Sequence, residues 1–165
     1  MNDFLFRIFF DAADYFGGDA KRIQHFTKVL QYSDVIASGE NLPAPERNIL
    51  LAAAVLHDIG IPESERKYGD CSGKHQEEEG PPVARRILEN AGADGDLTDR
   101  VCRMISLHHS YDRVGDDRLL RILIEADLLV NCFEDSVPRE EIRTAVKLHV
   151  KTATGKRLFV SLYKV

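Results

Sequence analysis

The sequence has few cysteines, no excess of basic residues and no long apolar run, and each absence excludes a class of protein. Its three cysteines, Cys71, Cys102 and Cys132, are odd in number and lack CxxC spacing, which favours reduced cytosolic thiols over disulfides or a zinc cluster. The net charge of −5 argues against a scaffold for nucleic acid duplexes. No stretch approaches about 18 uninterrupted apolar residues, so no membrane span is expected.

Two further signals are missing. The apolar N-terminal run is interrupted by charged residues and has neither a basic start nor a small-residue cleavage site, so it is not expected to be a signal peptide. A glycine-rich phosphate loop is also absent, so an ATP-driven reaction finds no support. We therefore expect a cytoplasmic protein, and 165 residues are enough for one well-buried domain over 1–165.

Helical periodicity dominates the sequence, and strand-like alternation is nearly absent. The polar stretch 62–76, after a stop at Gly60 and Pro62, is expected to be an irregular rim or lid. Pro81 and Pro82 are expected in the first turn of the following helix, where backbone N–H groups lack intrahelical partners. The pattern predicts an all-α fold, a compact single-domain helical bundle. Its helices should cover about 3–16, 20–38 (capped by Asp19), 45–58, 78–91, 96–108 (from Asp96 or Thr98), 117–133 (capped by Asp116 or Asp117), 138–149 and 155–163.

Histidines and aspartates at unusual positions carry the functional signal. His57 and Asp58 end an otherwise apolar helix, and Asp127 interrupts the apolar run RILIEADLLV. Burying such a carboxylate is costly unless a cation or several hydrogen bonds compensate it. Each residue alone also has an ordinary interpretation as a helix cap, a core histidine or an exposed one. Jointly, six residues from five segments are enough to hold two divalent metals: His25, His57, Asp58, His75, His108 and Asp127.

These residues resemble the signature of the HD-domain superfamily of metal-dependent phosphohydrolases, His … His-Asp … Asp, which here reads His25, His57-Asp58 and Asp127. The likeness covers about 20–163 and includes the stretches LHDIG, KHQEEEG, VARRILENAG, ISLHH and TATGKRLF. The Gly-Tyr-Pro signature of the cyclic-di-GMP phosphodiesterases is missing after the double histidine, so that activity is not expected. The pair Pro81-Pro82 is also unusual for the family.

The resemblance implies hydrolysis of a phosphate ester, such as a nucleotide or another small phosphorylated metabolite, by a metal-activated hydroxide. It implies one or two divalent ions (Fe, Mn, Zn, Co, Ni or Mg). The first would be held by His25, His57, Asp58 and Asp127, and the second by a bridging Asp58 with His75 and His108. Asp58, His109 and Lys74 are the implied catalytic residues, with His109 as a ligand, a substrate contact or a proton donor. Lys74 and Arg113 are the expected contacts to the substrate phosphate.

Three other interpretations remain open from the sequence. A dinuclear iron oxygenase of the same fold would use the same ligand types, and a non-catalytic metal- or nucleotide-binding signalling module would use the site without turnover. The histidines of an all-α domain could also be coincidental, although several polar groups in apolar helices would then need separate explanations. The apolar first helix has more phenylalanines than one face needs, so a homodimer contact is a further expectation.

Overall fold

A computed structural model describes residues 2–165, and every regular element within that range is helical, which confirms the predicted all-α fold. A single 3-10 turn covers Tyr111–Arg113. The α-helices are α1 (Asp3–Tyr15), α2 (Ala20–Gly39), α3 (Ala44–Leu56), α4 (Ile61–Tyr68), α5 (Gly73–Asn90), α6 (Gly95–Ile105), α7 (Arg118–Glu134), α8 (Arg139–His149) and α9 (Ala153–Tyr163). Within residues 2–165, no helix is both long enough and apolar enough to cross a membrane.

Helix α3 occupies the centre of the bundle because its sequence is apolar on all sides. Every residue from Ile49 to Leu56 is buried, as expected of a helix without a polar face. Helix α3 packs against α1, α2, α6 and α7, while α2 also packs along α7 and α5 packs against α4 and α6. Apart from Ile61, the buried apolar side chains form one continuous cluster that includes α3. This arrangement brings the ends of α3 and α6 close to the second turn of α2, which holds His25, and to the middle of α7.

Short polar side chains fix where several helices begin. The side chain of Asp19 accepts a hydrogen bond from the Arg22 amide, and that of Asp117 accepts from the amides of the first turn of α7, as expected from the sequence. Helix α6 begins earlier than expected, because Asp94, and not Asp96 or Thr98, accepts from the Leu97 amide. The carboxylate at Asp94 thus satisfies an amide that would otherwise lack a partner.

The expectation of an irregular segment over 62–76 is wrong, because α4 (Ile61–Tyr68) covers its first seven residues, 62–68. Pro62 lies in the first turn of α4, where a missing N–H costs nothing, and Gly69 ends the helix in the left-handed conformation with φ of 75°. The irregular part is therefore limited to a few residues before α5. The expected position of Pro81 and Pro82 is wrong as well: α5 begins at Gly73, so both prolines lie inside it.

The junction between α8 and α9 depends on a buried carboxylate on α7. Glu125 accepts hydrogen bonds from the amides of Lys151 and Thr152, at 2.7 and 3.0 Å, and from the Thr152 hydroxyl. A Cβ at Gly155 would clash with the Glu125 carboxylate and the Thr152 hydroxyl. The carboxylate can occupy this position only because residue 155 has no side chain. The stretch TATG near the C-terminus is thus explained by the docking of α9 onto α7.

Candidate metal centre

The candidate ligands come from four helices that meet at the bundle centre. His25 and Asp127 lie within α2 and α7, which pack against each other. His57 and Asp58 directly follow α3. Two residues separate the end of α6 from His108 and His109. Because both helices end at this point, adjacent side chains of each pair turn toward one site, as a continuous helix would not allow.

A first ligand group consists of His25, His57, Asp58 and Asp127. Nε2 of His25 lies 3.1 Å from Nε2 of His57, 3.5 Å from Oδ2 of Asp58 and 3.1 Å from Oδ1 of Asp127. Nε2 of His57 is 3.5 Å from the same two carboxylate oxygens. Atoms bound at about 2.0–2.2 Å to one ion lie roughly 2.8–3.6 Å apart, so these separations are those of a coordination shell.

Unpartnered buried atoms give an independent test of whether these residues fit a metal. Nε2 of His108 and Oδ1 of Asp127 are buried and make no well-aligned hydrogen bond within residues 2–165, although other ligand atoms lie 3.1–3.5 Å from them. A buried polar atom without a partner costs free energy, and a cation bound at this point would remove that cost for both atoms. Nitrogen and carboxylate oxygen are also the donors that Zn, Fe, Mn, Co and Ni accept. The residues therefore fit a divalent metal.

A second ligand group consists of Asp58, His108 and His109, each with one ligand atom within 4.8 Å of the others. Nε2 of His108 lies 3.5 Å from Oδ1 of Asp58, whereas Oδ2 of Asp58 faces the first group. Asp58 therefore turns one oxygen to each group. This is the geometry that a carboxylate needs to bridge two cations.

Hydrogen bonds on the far side of three imidazoles decide which nitrogen faces the site. Nδ1 of His57 donates to the Ala54 carbonyl at 3.0 Å, and Nδ1 of His108 donates to the Ile105 carbonyl at 2.7 Å. Nδ1 of His25 donates to Oε2 of Glu134 at 3.0 Å. Because carbonyls and carboxylates only accept, each Nδ1 carries a proton, and in the neutral ring each Nε2 presents a lone pair.

The electrostatics of the cluster are those of a cation site. Burial alone would lower the pKa of His25, but the Asp127 carboxylate beside it and the charge of Asp58 outweigh burial and raise this pKa to about 9. Burial would raise the pKa values of Asp58 and Asp127, yet the adjacent histidines hold both below their ordinary value. In the metal-free protein, protons on the imidazoles balance these carboxylates, and a metal would take their place.

Helix α5 holds the second histidine of the pair. Oε1 of Gln76 lies 3.2 Å from Nε2 of His109, and Glu77 accepts from the His109 amide and the Ser110 hydroxyl, both at 2.9 Å. Burial and the neighbouring His108 lower the pKa of His109 to about 4, so the ring is neutral near pH 7. His109 belongs to the second ligand group, a role that the sequence left open among three.

The remaining sequence-predicted residues lie outside both ligand groups. Nδ1 of His75 lies 2.8 Å from Oδ1 of Asp70, and its ring stacks on that of Tyr68 with centroids 3.9 Å apart. Lys74 and Arg113 are exposed. The ligand role of His75 and the phosphate contacts of Lys74 and Arg113 thus stay predictions of the sequence.

A cavity of about 220 Å³ opens beside the first ligand group, and we call it the metal cavity. His25 and Asp58 form part of its wall, and Lys21, Arg22 and Asn131 also line it. Lys21 precedes His25 by four residues and Asn131 follows Asp127 by four, so each lies on the same helix face as a ligand. Neither Lys21 nor Asn131 was predicted from the sequence, although their helical spacing from His25 and Asp127 was a usable signal.

The model of the HD domain family matches residues 22–132, which is more than half of the chain. The matched range contains every member of both ligand groups. Searches of curated proteins and of solved structures found no significant match.

Proposed function

We propose that this chain, which belongs to the HD domain family, is a metal-dependent hydrolase of phosphate esters. The observation that supports it most is the convergence of His25, His57 and Asp127 with the two oxygens of Asp58 on one buried centre. A structural zinc site is usually closed by four ligands, whereas this centre lies beside an open cavity. The arrangement therefore favours chemistry on a bound molecule over a purely structural metal.

In such a reaction, the residues of the centre would have different roles. A bound divalent metal would polarise a phosphoryl oxygen and lower the pKa of a coordinated water. Asp58 would fix the two halves of the centre relative to each other, because its oxygens face different ligand groups. His109 is neutral near pH 7, which suits a ligand or a proton acceptor better than a proton donor.

The metal cavity supports an anionic substrate. Lys21 lines it and makes no ion pair within residues 2–165, whereas Arg22 pairs with Asp19 and Glu65. Lys21 is thus placed to meet a substrate phosphate through its charge. The volume of about 220 Å³ suits a small phosphorylated metabolite. Asp19, Glu134 and Asp135 also line the cavity and would disfavour a substrate that carries negative charge at every position.

The test is a metal analysis followed by a substrate screen. We expect the purified protein to contain divalent metal and to release phosphate or alcohol from p-nitrophenyl phosphate, its bis ester or nucleoside monophosphates. Asp127→Asn should abolish turnover, and Lys21→Gln should raise KM more than it lowers kcat. Lys147→Gln on the exposed side of α8 is the charge-matched control.

Two outcomes would overturn the proposal. Iron in the centre, with oxygen consumption and no release from phosphate esters, would show the oxygenase chemistry that the sequence left open. Metal and nucleotide binding without turnover of any ester would show a signalling module. In either case the ligand groups would stand, while the hydrolase proposal would not.

A further inference from the structure

A second cavity of about 150 Å³, which we call the basic cavity, lies between the 3-10 turn, α7 and the α8–α9 junction. It shares no lining residue with the metal cavity. Its wall combines basic, aromatic and apolar side chains: Tyr111, Val114, Arg121, Ile124, His149 and Lys151, with Leu148 and Gly115 completing it. The proposed hydrolase reaction uses none of these residues.

The basic cavity is lined by basic side chains and by no acidic one. Arg121, His149 and Lys151 line it, and no carboxylate does. Within residues 2–165, neither Arg121 nor Lys151 makes an ion pair. The carboxylate of Glu125, one turn along α7 from Arg121, accepts from the Lys151 and Thr152 amides and the Thr152 hydroxyl. Two permanent positive charges therefore face a cavity without a protein counter-charge.

The hydrogen-bonding capacity around the cavity is only partly used. Nη2 of Arg121 donates to the Gly115 carbonyl at 2.7 Å, which fixes the guanidinium against the loop and leaves other N–H groups of its fork. Nζ of Lys151 has only a long contact, 3.4 Å, to the Lys147 carbonyl. The rings of Tyr111 and His149 lie with centroids 4.6 Å apart, and both residues line the cavity. Arg121 on α7 and Lys151 at the α8–α9 junction thus bring unused donors to the wall of one small cavity.

We propose that the basic cavity binds a small tetrahedral oxyanion of the phosphate class, either free orthophosphate or the phosphoryl group of a small ester. A cavity of about 150 Å³ has room for such a group. Arg121 supplies a planar fork of donors and Lys151 a mobile charge, which are the two side-chain types that bind phosphate. The proposal does not depend on hydrolase activity at the metal centre.

The test is isothermal titration of the intact metal-loaded protein with orthophosphate and, separately, with methyl phosphate. Lys151→Gln and Arg121→Gln remove one charge each from the basic cavity, and Lys147→Gln removes one from the neighbouring surface of α8. Lys21→Gln removes a charge from the metal cavity, so weaker binding to this variant indicates phosphate bound in that cavity. We expect the two variants of the basic cavity to weaken one binding event about tenfold or more, with Lys147→Gln and Lys21→Gln leaving that event unchanged.

The two ligands distinguish the source of the oxyanion. Binding of orthophosphate in the basic cavity indicates the free ion, and binding of methyl phosphate alone indicates the phosphoryl group of an ester. If Arg121→Gln loosens the loop at Gly115, the result for Lys151→Gln decides. The only hydrogen bond of the Lys151 side chain within residues 2–165 is the long contact to the Lys147 carbonyl. The proposal is wrong if neither orthophosphate nor methyl phosphate binds, or if only Lys21→Gln weakens the binding that is seen.

Discussion

Oε2 of Glu134, the last residue of α7, accepts a hydrogen bond from Nδ1 of His25 at 3.0 Å, on the side of the ring opposite the ligand groups. Lys28 pairs with the other oxygen of the same carboxylate. The carboxylate therefore fixes the orientation of His25 and the nitrogen that carries its proton. No feature of the local sequence around Glu134 indicates this role, because the two residues are 109 positions apart.

Removing this carboxylate should weaken metal binding without removing a ligand. We expect Glu134→Ala to lower metal affinity by about 10–100-fold, since partners behind a metal-binding histidine have effects of this size. Glu134→Gln, which keeps an acceptor oxygen, should lower the metal affinity less than Glu134→Ala does. Competition with a chromogenic chelator measures the affinity, and Glu141→Ala on the exposed face of α8 is the control. Equal affinities for Glu134→Ala and the control would contradict this prediction.

Metal binding should release protons, because a ligand imidazole must be neutral at Nε2. The pKa of His25 is raised to about 9 in the metal-free protein, so its proton must leave when a metal binds at neutral pH. The apparent metal affinity should therefore rise as the pH increases from about 6.5 toward 9. Titration calorimetry in buffers of different ionisation enthalpy counts the released protons, and a value near zero at pH 7 would contradict the prediction.

The same shift predicts how the stability of the metal-free protein depends on pH. A group whose pKa is higher in the folded state stabilises the fold below its unfolded pKa, and this contribution is lost as the pH passes its folded pKa. The contribution of His25 to the stability of the fold should therefore be lost between pH 6.5 and about 9. We expect the Tm of the metal-free protein to decrease over this range relative to the His25→Gln variant, in which the contribution is absent.

Either His75 or His109 could be the further ligand of the second group, and the metal content of variants tells which one it is. The geometry favours His109, which lies with Asp58 and His108, whereas His75 contacts Asp70 and Tyr68. We expect His109→Ala to lower the metal content by about one ion per chain and His75→Ala to leave it unchanged. Loss of metal in His75→Ala alone would instead support the ligand set implied by the family resemblance.

Gly155→Ala should destabilise the fold, because its Cβ would lie 2.2 Å from Oε2 of Glu125 and 2.7 Å from Oγ1 of Thr152. Relieving this contact would break the hydrogen bonds that hold the α8–α9 junction, at a cost of about 1–3 kcal/mol. Urea unfolding measures the change in the free energy of unfolding. Gly95→Ala is the matched control, since a Cβ there meets nothing within 4 Å. An equal effect of both substitutions would contradict the prediction.

Gly60→Ala should affect both stability and metal content. Its Cβ would lie 2.6 Å from the Gly80 nitrogen and 2.7 Å from the Gln76 carbonyl, and backbone atoms cannot move away as a side chain can. Helix α5 would have to shift, together with the Gln76 contact to His109. We expect a loss of about 3 kcal/mol in the free energy of unfolding and a lower metal content. A stable variant with full metal content would rule out this role for the glycine.

Local patterns in the sequence predicted most of the helices and the first ligand group's residues. An apolar stripe at helical spacing is buried wherever the helix packs, and a charged residue such as Asp127 within that stripe is conspicuous without knowledge of its partners. Capping by Asp19 and Asp117 is likewise a matter of a few neighbouring residues. The ligand role of Asp127 itself stays a prediction that metal analysis must test.

Other features were decided by contacts between distant segments. Helix α4 forms where a polar sequence suggested a loop, and α5 continues through Pro81 and Pro82 while packed between α4 and α6. Tertiary packing outweighed the local preference of these residues in both cases.

The sequence by itself determined which side chains of this protein are able to bind metal and which helices carry them, because residue chemistry and helical period act over a few positions. Only the tertiary structure decided that Asp58 turns an oxygen to each ligand group, that Glu134 holds His25 and that His109 groups with Asp58 and His108. Those relations depend on how α2, α5, α6 and α7 pack around α3, and packing joins residues that no local pattern connects.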